Sequence, residues 1–332
     1  MTDWIALSDR RDAVVATASG MMERGTFVLE FTLPLREGGV MVDFQADEGW
    51  SRTFSIFADP EAGVAILHRQ GDSLHRPFLP GPLPRADGTA RLSYRFDAPR
   101  RRWRMQLDVL GQETVLRSEG TNPLPLRLDD LLQLCAGHSG AERHPSVLWF
   151  GAATGAELPD TAPWIGLASM VDTLSGPVAA GALRPGDQVL TVDDGPLPVL
   201  RVTRRDLPSC GFFAPVLLRA PFFGRMRDLL VSADQLVGLS GTQVEYHFGE
   251  DEVLIAASAL IDGRSALLDH RRPVTASIAL DLGCPALFSV DGCVLMSDGS
   301  NRLIPPPRRV LHPFEVRPLL SQSARSVMRI VA

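Results

Sequence analysis

Few side chains in this sequence have the type and spacing to do chemistry, and each lacks an obvious partner. Ser169, in "APWIGLASMVD", and Ser232, in "VSADQL", are hydroxyls. A serine becomes a useful nucleophile only when a base beside it takes its proton. His247, in "EYHFGEDE", is such a base type next to acids, but its setting reads as a solvated loop. The four cysteines, Cys135, Cys210, Cys284 and Cys293, include no Cys-x-x-Cys pair that would suggest zinc or redox work. "CAGH", Cys135 to His138, has ligand-like spacing but no second pair, so Cys135 reads as a buried residue near a loop histidine. Cys210, before Gly211, and Cys284, before Pro285, read as buried small apolar residues rather than nucleophiles. Asp43, Asp47 and Glu48 supply the hard oxygen ligands calcium prefers, although as an acidic loop they need no metal.

The elements that would position these groups are strands. "GTFVLEFTLPL" places Phe27, Leu29, Phe31 and Leu33 on one face, and "TFSIFADPEAGVAILHR" gives two strands around an Asp-Pro-Glu-Ala-Gly turn. Leu92, Tyr94 and Phe96 alternate before the Ala98-Pro99 turn, and Trp103, Met105 and Leu107 after it. "SVLWFGAATG" adds a closing strand. Residues 1–155 therefore read as a β-sandwich of jelly-roll type. Its one helix is "LRLDDLLQLCAG", with Leu128, Leu131, Leu132 and Leu134 on one face and Gly137 as a stop. Pro159 and Pro163 mark residues 156–163 as a linker. Residues 164–300 again read as all-β, with hairpin turns at Arg184-Pro185-Gly186, Asp194-Gly195, Asp262-Gly263 and Asp291-Gly292. Residues 301–332 form a proline-rich tail expected to lie extended and end in a short helix.

Composition narrows the function classes. The 332 residues suit two domains, and 45% hydrophobic with 22% charged residues is a globular balance rather than a disordered one. The chain has no lysine, so its 33 basic residues are arginines, set against 39 acids for a net charge of −6. That balance argues against nucleic-acid binding, which needs a basic face to neutralise phosphates. The run Arg100-Arg101-Arg102 reads as a solvated hairpin end. No apolar run approaches the ~20 residues that span a bilayer. The N-terminus has neither a basic lead nor a long apolar segment, so the expectation is no cleaved signal peptide and a cytoplasmic default, with non-classical export still open.

Three ordered pieces carry a family resemblance. Thr173-Leu174-Ser175-Gly176 runs into "ALRPGDQVLTVDDGPLPVLRV", then come "RDLLVSADQLVGL" and "EVLIAASALIDG". From Thr173 to Gly263 the sequence resembles the Hint (Hedgehog/intein) family, in the form common among bacterial multi-domain proteins. The resemblance implies an acyl shift, in which a first-position Cys, Ser or Thr attacks the preceding carbonyl while an inner histidine protonates the peptide. Counting back from "ALRPGD", the family's opening Cys falls on Trp164, and its Gly-Thr on Ala168-Ser169. Its Thr-or-Ser-x-x-His string falls on Ser232-Ala233-Asp234-Gln235. An indole has no nucleophilic atom, and a glutamine exchanges no proton near neutral pH.

The sandwich loosely resembles the concanavalin-like and laminin-G-like jelly rolls that accompany some Hint domains. Trp4, Trp50, Trp103 and Trp149 lie in this half. An exposed one would suit a sugar face, whereas Trp103 and Trp149 read as core. The expectation is thus an all-β, two-domain protein whose Hint domain has lost self-processing and serves as a structural or recognition module. No catalytic residue and no cofactor is expected, and the partner is an unidentified protein or glycan. Two alternatives stand beside this reading: cleavage through a displaced nucleophile such as Ser169, and a carbohydrate-binding module.

Overall fold

The computed structural model describes residues 4–8, 20–112, 114–137, 141–154, 163–222, 227–298 and 304–316. The chain divides into two compact β units, Met1–Leu158 with Cys210–Phe212, and Pro159–Ser209 with Phe213–Ala332. The linker reading of 156–163 lies outside the described residues except for Pro163, as does the tail beyond Val316.

In the first unit two antiparallel sheets face each other. One runs in the order Trp4–Leu7, Val147–Ala153, Arg24–Leu33, Gly88–Asp97, Arg102–Val109, Val115–Thr121. The other runs Ala141–Arg143, Gly39–Ala46, Arg52–Asp59, Gly63–Gln70, Ser73–His75, with Phe78–Pro80 also on Gly63–Gln70. Phe27, Leu29, Phe31, Ile56, Ile66, Leu92 and Met105 fill the space between them. The expected alternation holds for the hairpin at Arg100–Arg102, whose three arginines are exposed and where Arg101 takes a φ of 55°.

Strand Arg24–Leu33 departs from simple alternation, since its second face is buried too, including Thr26 and Glu30. A carboxylate cannot lose its water without a partner. Arg91, directly opposite Glu30 on the next strand, supplies one through Nε and Nη2 at 2.9 and 2.7 Å to Oε1. Trp149 is buried, but on the Glu30 face of its sheet and not between the two sheets as expected, and Trp103 is half-buried. Trp103 packs over Gly120, where a Cβ would come within 2.6 Å of the indole. Helix Leu128–Ala136 buries Leu128, Leu131, Leu134 and Cys135 but leaves Leu132 only partly covered. Burial pushes the Cys135 thiol up to about 12, so it is a packing residue; His138 lies outside the described residues.

The second unit holds two further sheets. One is ordered Arg201–Pro208, Val274–Asp281, Ile165–Gly166, Leu229–Val231, Val216–Leu218, Ala266–Leu268. The other runs Pro196–Pro198, Gln188–Leu190, Met170–Thr173, Leu287–Val290, Cys293–Met296, Leu236–Ser240, Glu252–Ala256, with Gly176–Ala179 on Met170–Thr173. The aspartate–glycine turns behave as their chemistry requires. At Asp291-Gly292 both residues have positive φ, 50° and 78°, as a two-residue hairpin between Leu287–Val290 and Cys293–Met296 demands. In the Arg184–Asp187 turn the Asp187 carboxylate accepts the Arg184 N–H at 2.8 Å.

The segment read as tail follows the extended course expected of it at first, yet it is also core. Leu254 donates its N–H to Arg309 O and accepts that of Leu311, and Leu311 and Val316 join the second hydrophobic cluster. Cys284 is half-exposed rather than buried, whereas Cys210 is buried as expected.

Replacing Arg91 by Leu strands the Glu30 charge in the sandwich and should cost about 3–5 kcal/mol in urea denaturation. The Glu30→Leu/Arg91→Leu pair should cost markedly less, because no unpaired charge remains. Equal losses in the two variants would show that the pair carries no charge compensation.

Candidate functional site

Strand Ile165–Gly166 is only two residues long but sits inside its sheet. Ile165 pairs with Val231 on one side and with Ile278 on the other. The same register carries one residue back to Trp164, which is buried. Its N–H donates to Ser232 Oγ at 3.3 Å, and its carbonyl accepts the Ser232 N–H at 2.9 Å. The peptide between Pro163 and Trp164 is therefore held at its nitrogen by the first residue of the Ser232–Gln235 string.

Gln235, at the other end of that string, is turned back by a short loop in which its N–H donates to Ser232 O at 3.2 Å. Its side chain is buried. Nε2 donates to Met296 O at 2.8 Å and to Leu236 O at 3.1 Å, using both amide hydrogens. The Gln235 carbonyl accepts the N–H of Ala257 at 2.9 Å. Met296 is followed by Ser297, whose Oγ donates to Cys284 O and accepts the N–H of Ala286. No side-chain pattern announced Met296 or Ser297, because what they offer is a carbonyl and its brace.

The structure brings Trp164, Ser232 and Gln235 together, with Ser169 in the turn that follows the same short strand and His247 on a separate helix. Ser169 closes a turn, donating its N–H to Gly166 O and accepting the N–H of Ala180, with its Oγ beside Gly166. His247 is not in a loop. It belongs to helix Thr242–Phe248, its ring lies edge-on to Tyr246, and its Nε2 is buried with no protein partner among the described residues. A helix forms there because Gly241 and Gly249 bracket the segment, and Gly249 takes the left-handed φ of 67° that ends it.

The calcium reading is not assembled: Asp43 accepts hydrogen bonds from Ser55 Oγ and Gln45 Nε2, while Asp47 and Glu48 are exposed. Among the described residues no group of three or more His, Cys, Asp or Glu is placed to hold a metal ion, and no helix is long and apolar enough to cross a membrane.

Comparison with known proteins adds the following. The family model described as "Hint domain" matches residues 167–287. No curated protein matches. Similar solved structures include the CBM40 module of the Ruminococcus gnavus IT-sialidase bound to alpha2,6 sialyllactose, 12% identical over 41% of this chain and 66% of that one, with a TM-score of 0.24. The gp41-1 intein is 16% identical over 41% of this chain and 98% of its own, at a TM-score of 0.26. The LG1-3 region of the laminin alpha2 chain is 8% identical over 91% of this chain and 57% of its own, at 0.27.

Exchanging Gln235 for Leu removes the donor from two buried carbonyls and should destabilise the protein by about 1–3 kcal/mol in urea denaturation. An unchanged midpoint would show that Gln235 is not a structural tie.

Proposed function

We propose, from the premise that residues 167–287 are a Hint domain preceded by a β-sandwich, that this protein does not process itself and that its Hint domain serves as a structural or recognition module. The reading rests on one observation: where self-processing would need a nucleophile and a proton donor, the chain holds Trp164 and Gln235, and both hydrogens of the Gln235 amide are already given to backbone carbonyls. An acyl shift forms an ester or thioester to the carbonyl of residue 163 as the bond to the residue 164 nitrogen breaks, and that nitrogen must gain a proton. Trp164 offers no atom for the new bond, and Gln235 offers no exchangeable proton. Ser169 does not repair this, because its place in the turn with Gly166 and Ala180 ties it to a different part of the strand entry.

A second reading concerns the sandwich and is favoured by its register. Val40 pairs with Phe57, Phe57 with Ala65, and Ala65 with Phe78, so one row crosses four strands on the outer face of its sheet. Phe57 and Phe78 are 38% and 46% exposed, and Trp50 is 52% exposed. An exposed row carrying Phe57 and Phe78, with the polar Asp43 and Gln45 on a neighbouring strand, suits the mixed apolar and hydroxyl faces of a sugar. The unit then acts as a glycan-binding module.

Intact mass spectrometry tests the first reading on three proteins. Wild type incubated with dithiothreitol or hydroxylamine should remain one chain, since no thioester forms. W164C should stay nearly inert, because it lacks proton transfer worth about 10²–10⁴ in rate. W164C/Q235H should show partial thiol-induced cleavage after Pro163, exceeding the effect of either change alone. Two wild-type fragments meeting at Pro163 and Trp164 overturn the reading, and equal cleavage in the single and double variants removes Gln235 from the histidine position. For the second reading, binding on a glycan array should be lost in Phe57→Ala and Phe78→Ala; a wild-type array without signal rejects it.

A further inference from the structure

Inside the first unit His68 and His75 face each other directly on neighbouring antiparallel strands, and both are buried. His68 Nε2 lies 3.2 Å from Gln70 Nε2, and the same Gln70 nitrogen donates to Pro125 O. That second bond fixes the amide orientation, because a flipped amide would set oxygen against the Pro125 carbonyl. Gln70 Nε2 carries only hydrogens, so His68 Nε2 is the acceptor and the ring proton sits on Nδ1. His68 Nδ1, His75 Nε2 and the Tyr94 hydroxyl have no protein partner among the described residues.

An imidazolium at His68 carries a hydrogen on Nε2, head-on to a Gln70 hydrogen. The amide must then turn, and its oxygen cannot hold the Pro125 carbonyl. We propose that His68, Gln70 and Pro125 form an acid-sensitive latch, which holds the segment Pro125–Ala136 on the sandwich at neutral pH and lets it go as the solution is acidified. The segment is also tied by Arg52 Nε to both Asp130 oxygens, at 3.0 and 3.2 Å, by Leu128 N–H to Gly20 O, by the pairing of Leu126–Arg127 with Met21–Met22, and by the burial of Leu126, Leu128, Leu131 and Leu134. Its release uncovers Phe44 and Phe54 on the sandwich and the segment's own Leu131 and Leu134.

The surroundings set the direction. His68 faces Phe54 across one strand pair and His75 across the other; Tyr94 and Trp103 face His75. The charged groups around the concavity on the His68 side are Arg52, Arg69, Arg127 and Asp130. The one carboxylate among them, Asp130, is engaged by Arg52. Burial first, and the neighbouring His75 second, hold His68 down at about 3, and burial lowers His75 as well. A base depressed on folding leaves stability intact above its ordinary value of 6.5 and withdraws it as pH falls from there towards 3. Burial also raises Asp130, so its uptake of a proton favours the closed segment and works against the His68 response as pH falls.

Hydrogen exchange of full-length protein, read by mass spectrometry on peptides from 126–136 and 88–97 and corrected for intrinsic rates, tests the latch. Opening of 126–136 should rise between pH 6.5 and 4.5 by up to about tenfold per pH unit for one proton, while 88–97 stays protected. His68→Gln should flatten this response. Gln70→Glu, which cannot donate to Pro125 but accepts from an imidazolium, should open 126–136 already at pH 7. The latch is overturned by an acid response that persists in His68→Gln, by equal loss of protection in both peptides, or by a Gln70→Glu protein closed at pH 7.

Discussion

The candidate site depends on one short strand being interior. Ile165–Gly166 is hydrogen-bonded on both sides, and a two-residue strand at an edge would fray. Held between Val231 and Ile278, it leaves Trp164 no choice but to meet Ser232 through a reciprocal pair of backbone-directed bonds. Everything else near the site, from the loop that returns Gln235 to the carbonyl of Met296, is laid against that fixed point.

Gln235 is suited to its tie in a way histidine is not. An amide nitrogen has two hydrogens in one plane, and here two carbonyls, Leu236 and Met296, receive them. A neutral imidazole has one hydrogen, and would leave one buried carbonyl unmade. The position is therefore built around a donor pair, not around a proton carrier. The same logic of matching hydrogens governs Gln70, where the second hydrogen goes to an imidazole nitrogen instead of a carbonyl, and a titratable acceptor makes the tie conditional on pH.

Local chemistry was legible in the sequence where it is self-contained. Asp291-Gly292 announces its hairpin because positive φ is a property of those residues, and the alternation of Leu92, Tyr94 and Phe96 announces a face. What the sequence hid are relations between distant residues. Glu30 looks like an outward position until Arg91, 61 residues on, is placed opposite it. His247 reads as loop because its acids and glycine are turn formers, yet Gly241 and Gly249 cap a helix instead. Residues 304–316 read as tail because of their prolines, although Leu311 and Val316 are core once Leu254 gives them a strand to follow. At the site, Trp164 and Ser232 were singled out by the resemblance alone, while Met296 contributes only a carbonyl and left no mark.

The peptide between Pro163 and Trp164 is surrounded by groups that favour its staying an amide. Breaking it requires the nitrogen to become more basic and to take a proton, which means a donor must approach its lone pair as planarity is lost. Ser232 Oγ does the opposite: it accepts the hydrogen that the planar amide already carries, and this interaction strengthens the resonance form in which the nitrogen is least basic. The Trp164 carbonyl is likewise occupied by the Ser232 N–H, which locks the following unit in the strand geometry. Ser232 thus braces two successive peptides, the first through its hydroxyl and the second through its N–H, so that the strand entry and the amide at its start are held by one residue.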